Sequence, residues 1–452
     1  MGSHPDEPLT PAGRLFLQPH MNTIIHCVVG FERPIDVPKS KDAVMSSIMV
    51  RHPRFRSVLV RDKRGLEHWR ETSVDIDRHF VEVHDSTSVN DYVAGLSFSS
   101  PLSEDKPLWE VHVLAEHRCA VFRIHHALGD GISLVSMLLA GCRLADDPEA
   151  LPAVAGGKRT ESAGKIGSLW GLLKMVLLSI VFVLEFLLRA LWVSDRKTAI
   201  SGGAGVELWP RKLATATFSI DDMKAVKKAI AGATINDVLF GVVSSGLSRY
   251  LDHRSPNALP EGLRITGLAM VNIRRQPGLQ DLSNLMKSNS GTRWGNKFGM
   301  LLLPIYYHKG GADPLSYVKR AKKMIDSKKL TLEGHFSYKI GNLVMSWFGA
   351  KVACLLNYRI VCNTTFTISN IVGPTEKITL ADNPVAYLRA NTSSLPHALT
   401  MHMMSYAGRA DMQILVAKDI IPDPELLAKC FEDSLLEMKE AALTSKKTLK
   451  DN

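Results

Sequence analysis

The sequence predicts a mixed α/β fold of the α+β kind, built as two halves. Three observations predict it. Strand-like and helix-like segments mix without a regular βα alternation. Two linker-like stretches, residues 146–165 and 194–210, rich in small residues and glycine, interrupt the chain near its middle. Between them runs the most apolar segment of the sequence, residues 166–193. The expected division is a first half over 1–145, a linker region over 146–210, a second half over 211–445 and a basic tail over 446–452.

Residues 20–31 (HMNTIIHCVVGF) read as a strand because β-branched and apolar residues dominate. Residues 41–50 read as a helix, followed by the turn-like RHPRFR at 51–56 and a short strand at 57–61. Residues 109–114 and 119–124 are two strands around a polar turn. A helix is expected over 133–144, with Leu134, Met137, Leu138 and Gly141 near one face. After the linkers, a strand ends at 217–220 and a short helix covers 221–229. Thr234, Ile235, Asn236 and Asp237 have capping-box spacing, opening a helix to about residue 251. Further strands fit 264–271, 364–368, 386–390, 399–405 and 409–416, and a last helix fits 424–443.

The 452 residues suffice for two domains, and 45% hydrophobic content is ordinary for a folded chain. With 55 Lys+Arg against 45 Asp+Glu the net charge is +10. That suits an acidic partner, whether nucleic acid, an anionic membrane or a phosphate-bearing co-substrate. The basic residues are dispersed and lack interleaved aromatics, which argues against nucleic acid. The six cysteines include no CxxC, pointing to a reducing compartment and away from zinc. The N-terminal MGSHPDEPLTP has no apolar stretch of the signal-peptide kind, and Asp6 stands where a myristoylation site needs Ser or Thr. Asn363 and Asn391 begin glycosylation-type triplets that a reducing compartment leaves unused.

Strand 119–124 runs directly into HHALGDG at 125–131. A neutral imidazole, with an ordinary pKa of roughly 6.5, can take a proton from an alcohol near neutrality. Asp130, four residues past His126, can hold the loop or pair with a cation, and Gly131 leaves room for a substrate. No GxSxG nucleophile elbow occurs, which favours direct attack over a covalent acyl-enzyme. Adjacent histidines on a strand end point to opposite faces, so a metal shared by His125, His126 and Asp130 is disfavoured. For His125 a structural role and a direct role remain open, whereas His126 is the expected base.

HHALGDG, preceded by Pro107, Leu108, Trp109 and Glu110 and by RHPRFR, resembles the wax ester synthase/diacylglycerol acyltransferase family. So do Asn236 and Asp237 within TINDVLF and the stretch SNIVGP at 369–374, which includes Asn370, Gly373 and Pro374. EPLTP at 7–11 and PHALT at 396–400 are similar to its plant branch. The resemblance implies two chloramphenicol-acetyltransferase-like halves with an active-site channel between them. It implies acyl transfer from acyl-CoA, as co-substrate, to a long-chain alcohol or diacylglycerol, giving wax ester or triacylglycerol, with no bound cofactor and no metal. His126 would be the proton acceptor, with His125, Asp130 and Gly131 as support. Asn236, Asp237, Asn370, Gly373 and Pro374 would shape the channel or the interface. The implied place is the endoplasmic reticulum membrane, with the plasma membrane as a further location, and the catalytic halves facing the cytosol. The rivals are a free-standing peptide-synthetase-type condensation domain, a soluble plant acyltransferase, whose DFGWG is missing here, and an inactive membrane-anchored lipid-binding protein.

The segment 166–193 is long enough to span a bilayer, yet Lys174, Glu185 and Arg189 interrupt it. On a helix they share one stripe, Glu185 and Arg189 lying roughly 20° and 60° around from Lys174. Flanking positive charge is nearly balanced, and a single span would separate His126 from the second half. The expectation is a monotopic or re-entrant anchor rather than a span, a surface-lying helix keeping its three charges at the headgroups.

Overall fold

Apolar strand segments assemble into two large sheets and one small one in the computed structural model, which describes residues 6–84, 87–99, 101–152, 169–274, 294–310 and 313–448. Residues 153–165 of the first linker, 166–168 of the apolar segment and 449–452 of the basic tail lie outside the described residues. The first sheet has seven strands in the order Phe80–Val83, Trp109–Leu114, Cys119–His125, Ile24–Phe31, Asn383–Thr392, Ile378–Leu380 and Cys142–Leu144. Every residue of Cys119–His125 is buried, as a strand covered on both faces requires.

The second sheet has six strands in the order Phe298–Tyr306, Arg264–Asn272, Phe366–Val372, Leu399–Tyr406, Arg409–Ala417 and Arg211–Ser219. Helices Ile235–Arg254, Pro314–Lys329 and Pro424–Thr448 contribute Val242, Leu247, Val318, Phe431 and Met438 to its core. The helix begun by Thr234 has the expected reciprocal capping box with Asp237.

Segment 378–392, expected in the second half, joins the first sheet. Ala390 pairs with Cys27 and Val385 with Phe31, while Ile378–Leu380 pairs with Cys142–Leu144. The helix expected to reach residue 144 spans only Gly131–Ala140. Gly141 caps it, and Cys142 turns into the sheet, drawn by the strand arriving from the far end of the chain. No local pattern announces that pairing.

The apolar segment forms helix Leu169–Leu191. It packs beside a second long helix, Glu333–Cys362, which bends at Gly349, where φ is +77° and favours glycine. Both are long and apolar enough, by length and composition, to cross a bilayer. The charges of the first do not share one fate. Arg189 is buried, with hydrogen bonds to Glu185, the Asn363 carbonyl and Thr266 and an ion pair to Asp195 at 2.9 Å. Glu185 also meets Arg264. The stripe expected at the headgroups therefore faces the protein over Glu185 and Arg189, because the second sheet supplies their partners, and only Lys174 stays exposed. Phe186 and Ala190 lie on that docked side, against Leu268, Leu302 and Ile360. Leu173, Val176, Leu177, Ile180, Val181 and Leu184 point outward, and beside the bend Trp347 and Phe348 are 73% and 62% exposed.

Candidate active site

His125 and His126 leave the end of the central strand with rings on opposite sides. The His125 backbone N–H donates to the Leu108 carbonyl and that of His126 to Thr23, which fixes where the strand ends. The His125 ring is buried. Its Nε2 lies 2.8 Å from Asn22 Oδ1, and its Nδ1 accepts the Ala127 N–H at 3.1 Å. Burial, with the nearby His126, pushes its pKa down to about 3. The ring is neutral, and both nitrogens are engaged.

His126 is held from the second half. Its Nδ1 lies 3.0 Å from Asn296 Oδ1, and Asn296 Nδ2 donates to the His126 carbonyl at 2.9 Å. An amide oxygen only accepts, so Nδ1 carries the hydrogen and Nε2 keeps its lone pair. The ring stacks on Phe16 at 3.9 Å and 24°, and Phe298 approaches it edge-on at 6.0 Å. Burial lowers the His126 pKa, against the opposing pull of Asp130 and the Asn296 hydrogen bond, so the imidazole is neutral near pH 7. Asn296 and Phe298, its neighbours, also line a cavity of about 50 Å³ together with Leu15, Ser337 and Met345 among others.

Asp130 ties the loop to the second half. Its Oδ1 accepts the Ser133 N–H and caps helix Gly131–Ala140. Its Oδ2 takes Arg274 at 2.7 Å and the Lys297 N–H at 3.0 Å. Arg274 Nη2 also reaches Ser133 Oγ. A Cβ on Gly129 would stand 3.3 Å from Ser133 and 3.4 Å from Trp294, so close packing explains the glycine before the aspartate. A Cβ on Gly131 would meet only Ile371 at 3.8 Å, leaving open space there.

Asn236 and Asn370 meet, Asn370 Nδ2 donating to Asn236 Oδ1 at 2.8 Å. Asp237 is fully buried in its helix cap. Gly373 donates to the Ser405 carbonyl at 3.0 Å, and a Cβ there would fall 2.2 Å from that oxygen. The Pro374 carbonyl accepts from Ala407 N–H. Asn236, Asn370, Gly373 and Pro374 fasten the SNIVGP strand to its neighbours, whereas Asp237 bonds to Thr234 within its own helix cap. Sequence reasoning missed Asn22, Phe16, Arg274, Trp294, Asn296 and Phe298. The polar and aromatic cluster WGNKFG at 294–299, with glycines at 295 and 299, is the signal that could have marked three of them.

Comparison with known proteins supplies the family. The wax ester synthase/diacylglycerol acyltransferase catalytic domain matches residues 20–239, and the WS/DGAT C-terminal domain matches 294–439. The chain is 34% identical to wax ester synthase/diacylglycerol acyltransferase 11 of Arabidopsis thaliana, over 97% of this chain and 96% of that protein. It is likewise 34% identical to number 4 of the same plant, over 98% and 92%. Among solved structures, the wax ester synthase/diacylglycerol acyltransferase of Marinobacter aquaeolei VT8 superposes with a TM-score of 0.60 at 18% identity, over 96% of this chain and 99% of that one. The first condensation domain of the CDA synthetase gives 0.57 at 13%, over 98% and 97%. These structural likenesses show the fold, mixed α/β with two chloramphenicol-acetyltransferase-like halves. With both domain models matched and near full-length identity of one third, the chain belongs to the wax ester synthase/diacylglycerol acyltransferase family.

Proposed function

We propose that this protein moves a fatty acyl group from acyl-CoA to a long-chain alcohol, a diacylglycerol or both. His126 is the general base. Its Nε2 takes the hydroxyl proton as the alcohol oxygen bonds to the thioester carbonyl carbon. When the C–S bond breaks, the protonated ring returns the proton to the CoA sulfur, so no covalent acyl-enzyme forms. The observation that carries this reading is the clamp of Asn296 on Nδ1, which leaves Nε2 free to accept. Asp130 keeps the loop in register with the second half. Asn236, Asn370, Gly373 and Pro374 support the strand beside it.

The acceptors dissolve in membranes, and the outward apolar face of the two long helices supports work at a membrane surface. Every exposed charged side chain on those helices, Lys174, Lys339, Lys351 and Arg359, is basic, which suits anionic lipid headgroups. Six free cysteines suit the cytosolic side of the endoplasmic reticulum, where acyl-CoA is available. The test is an assay of the purified protein with palmitoyl-CoA, offering hexadecanol and diacylglycerol separately. Ester from either supports the reading, and ester from neither overturns it.

A further inference from the structure

Strands of both large sheets meet around one small cavity of about 50 Å³. Its wall includes Ile124 of Cys119–His125, Ala390 of Asn383–Thr392, Met404 of Leu399–Tyr406 and Ile371 of Phe366–Val372. Side chains of a strand alternate between faces, so the next one on the same face lies two positions on. From Ile124 that step reaches His126, and on the parallel-running strand it leads from Ala390 to Thr392.

On the second sheet the sense of the step follows from Tyr406. Its hydroxyl donates to the Val385 carbonyl at 2.9 Å. Tyr406 therefore lies beside the start of Asn383–Thr392, and Met404 shares the cavity wall with Ala390. The two strands run in opposite senses there, so the step that matches 390 to 392 leads from Met404 to His402. Strand Phe366–Val372 is parallel to that one, with Ser369 opposite His402, and the same step leads from Ile371 to Ser369. All four steps end on polar side chains, His126, Thr392, His402 and Ser369.

Three of the four have no hydrogen bond to make within the protein. His402 Nδ1, Thr392 Oγ1 and Ser369 Oγ are buried atoms without a partner among the described residues. Buried polar atoms are ordinarily satisfied, so three left over beside a base point to a ligand group that meets them. His402 is only 6% exposed. Burial, with His126 nearby, pushes its pKa down to about 4. The ring is neutral near pH 7 and carries one N–H.

When the alcohol attacks the thioester, the carbonyl π pair moves onto oxygen. That oxygen needs a fixed donor until the C–S bond breaks and the C=O bond re-forms. Resting on the reading of the protein as an acyltransferase, we propose that His402 is a second catalytic residue, whose Nδ1–H donates to the thioester carbonyl oxygen as it becomes an oxyanion. The hydroxyls of Thr392 and Ser369 border the same place. The His402 ring neither gains nor loses a proton over the cycle. His126 alone carries the proton from the alcohol to the CoA sulfur.

The test uses the full chain with palmitoyl-CoA and hexadecanol. His402→Phe keeps a ring there and removes both nitrogens. It should lower kcat about a hundredfold or more, the usual cost of losing an oxyanion donor, with each KM changed less than about threefold and the melting temperature held. His402→Asn, whose amide nitrogen falls near the place of Nδ1, should recover at least about tenfold of that loss. His402→Ala carries the same expectation should His402→Phe not fold. Calorimetry with two palmitoyl-CoA analogues reads the donor without turnover. In one a methylene separates the sulfur from a ketone carbonyl, and the other is the hexadecyl thioether, which has no carbonyl. The protein should hold the ketone more tightly, and His402→Phe should erase about threefold to tenfold of that preference while leaving thioether affinity alone. Full activity of His402→Phe, a loss that His402→Asn does not restore, or an unchanged ketone preference would overturn the proposal. If the protein forms no ester and yet loses its ketone preference in His402→Phe, the acyltransferase reading fails while His402 still binds the carbonyl, so the two failures are distinguishable.

Discussion

Asn296 decides which nitrogen of His126 can accept a proton. Asn296→Ala should lower kcat by roughly tenfold to a hundredfold, because the ring loses its orientation while the base itself survives. His126→Ala should cost at least roughly a hundredfold with the fold intact, since the residue is only half-buried. His125→Ala should act mainly on stability, leaving Asn22 and the Ala127 N–H without their partner. Equal losses of rate in both histidine variants, at unchanged melting temperature, would sink this division of labour. A base must be unprotonated to work, and the His126 pKa is held below its ordinary 6.5. Lowering the pH from about 8 to about 6.5 should therefore leave kcat/KM flat, with the fall only below that. Asp130→Asn keeps an oxygen for the Ser133 cap, yet its amide hydrogens face Arg274 and the Lys297 N–H. Since Arg274 would be left buried without its counter-charge, Asn should destabilise nearly as much as Ala, by about 3–5 kcal/mol, in a denaturant titration.

The apolar helix Leu169–Leu191 has a docked face and an exposed apolar face. Its inner face carries Arg189, whose guanidinium joins Glu185, Thr266, Asp195 and the Asn363 carbonyl. Asp195 in turn accepts from the Thr266 N–H and from Thr365. Arg189→Leu leaves Asp195 uncompensated and should lower stability by about 3–5 kcal/mol. Removing the whole helix would strip Phe186 and Ala190 from the second-half core as well, so deletion confounds anchoring with folding. The outer face separates the two. Replacing Leu173, Val176, Leu177 and Ile180 with Gln should release the protein from vesicles containing anionic lipid while leaving the melting temperature nearly unchanged. Retained vesicle binding would argue that this face is not what meets the membrane.

Six histidines give the whole molecule a shared acid weakness. Burial is the leading cause in each. It holds His26, His52, His125 and His397 at about 3, and His79 and His402 at about 4. In the unfolded chain each titrates near 6.5, so protons bind there first. The stability of their neutral folded forms is complete above that value and is lost as pH falls toward the folded values. The melting temperature should therefore drop between about pH 7 and about pH 5, before ordinary carboxylates titrate. A flat profile down to about pH 4 would contradict the burial of these rings.

Much was legible in the sequence because it is local. Apolar, β-branched runs marked the strands, Thr234 and Asp237 a helix start, and HHALGDG placed two histidines at a strand end. The family and its two-half plan followed from motifs, and one long apolar run marked a helix long and apolar enough to cross a bilayer. What the tertiary structure alone decided depends on partners far away in the chain. Asn296 reaches His126 across 170 residues, and Arg274 reaches Asp130 across 144. Segment 378–392 completes the first sheet, and Arg189 reaches Thr266 on the second. A side chain's pattern shows which face it occupies. Which group meets it there is fixed by the packing of both halves, since buried charges and donors must be satisfied wherever the chain can supply a partner.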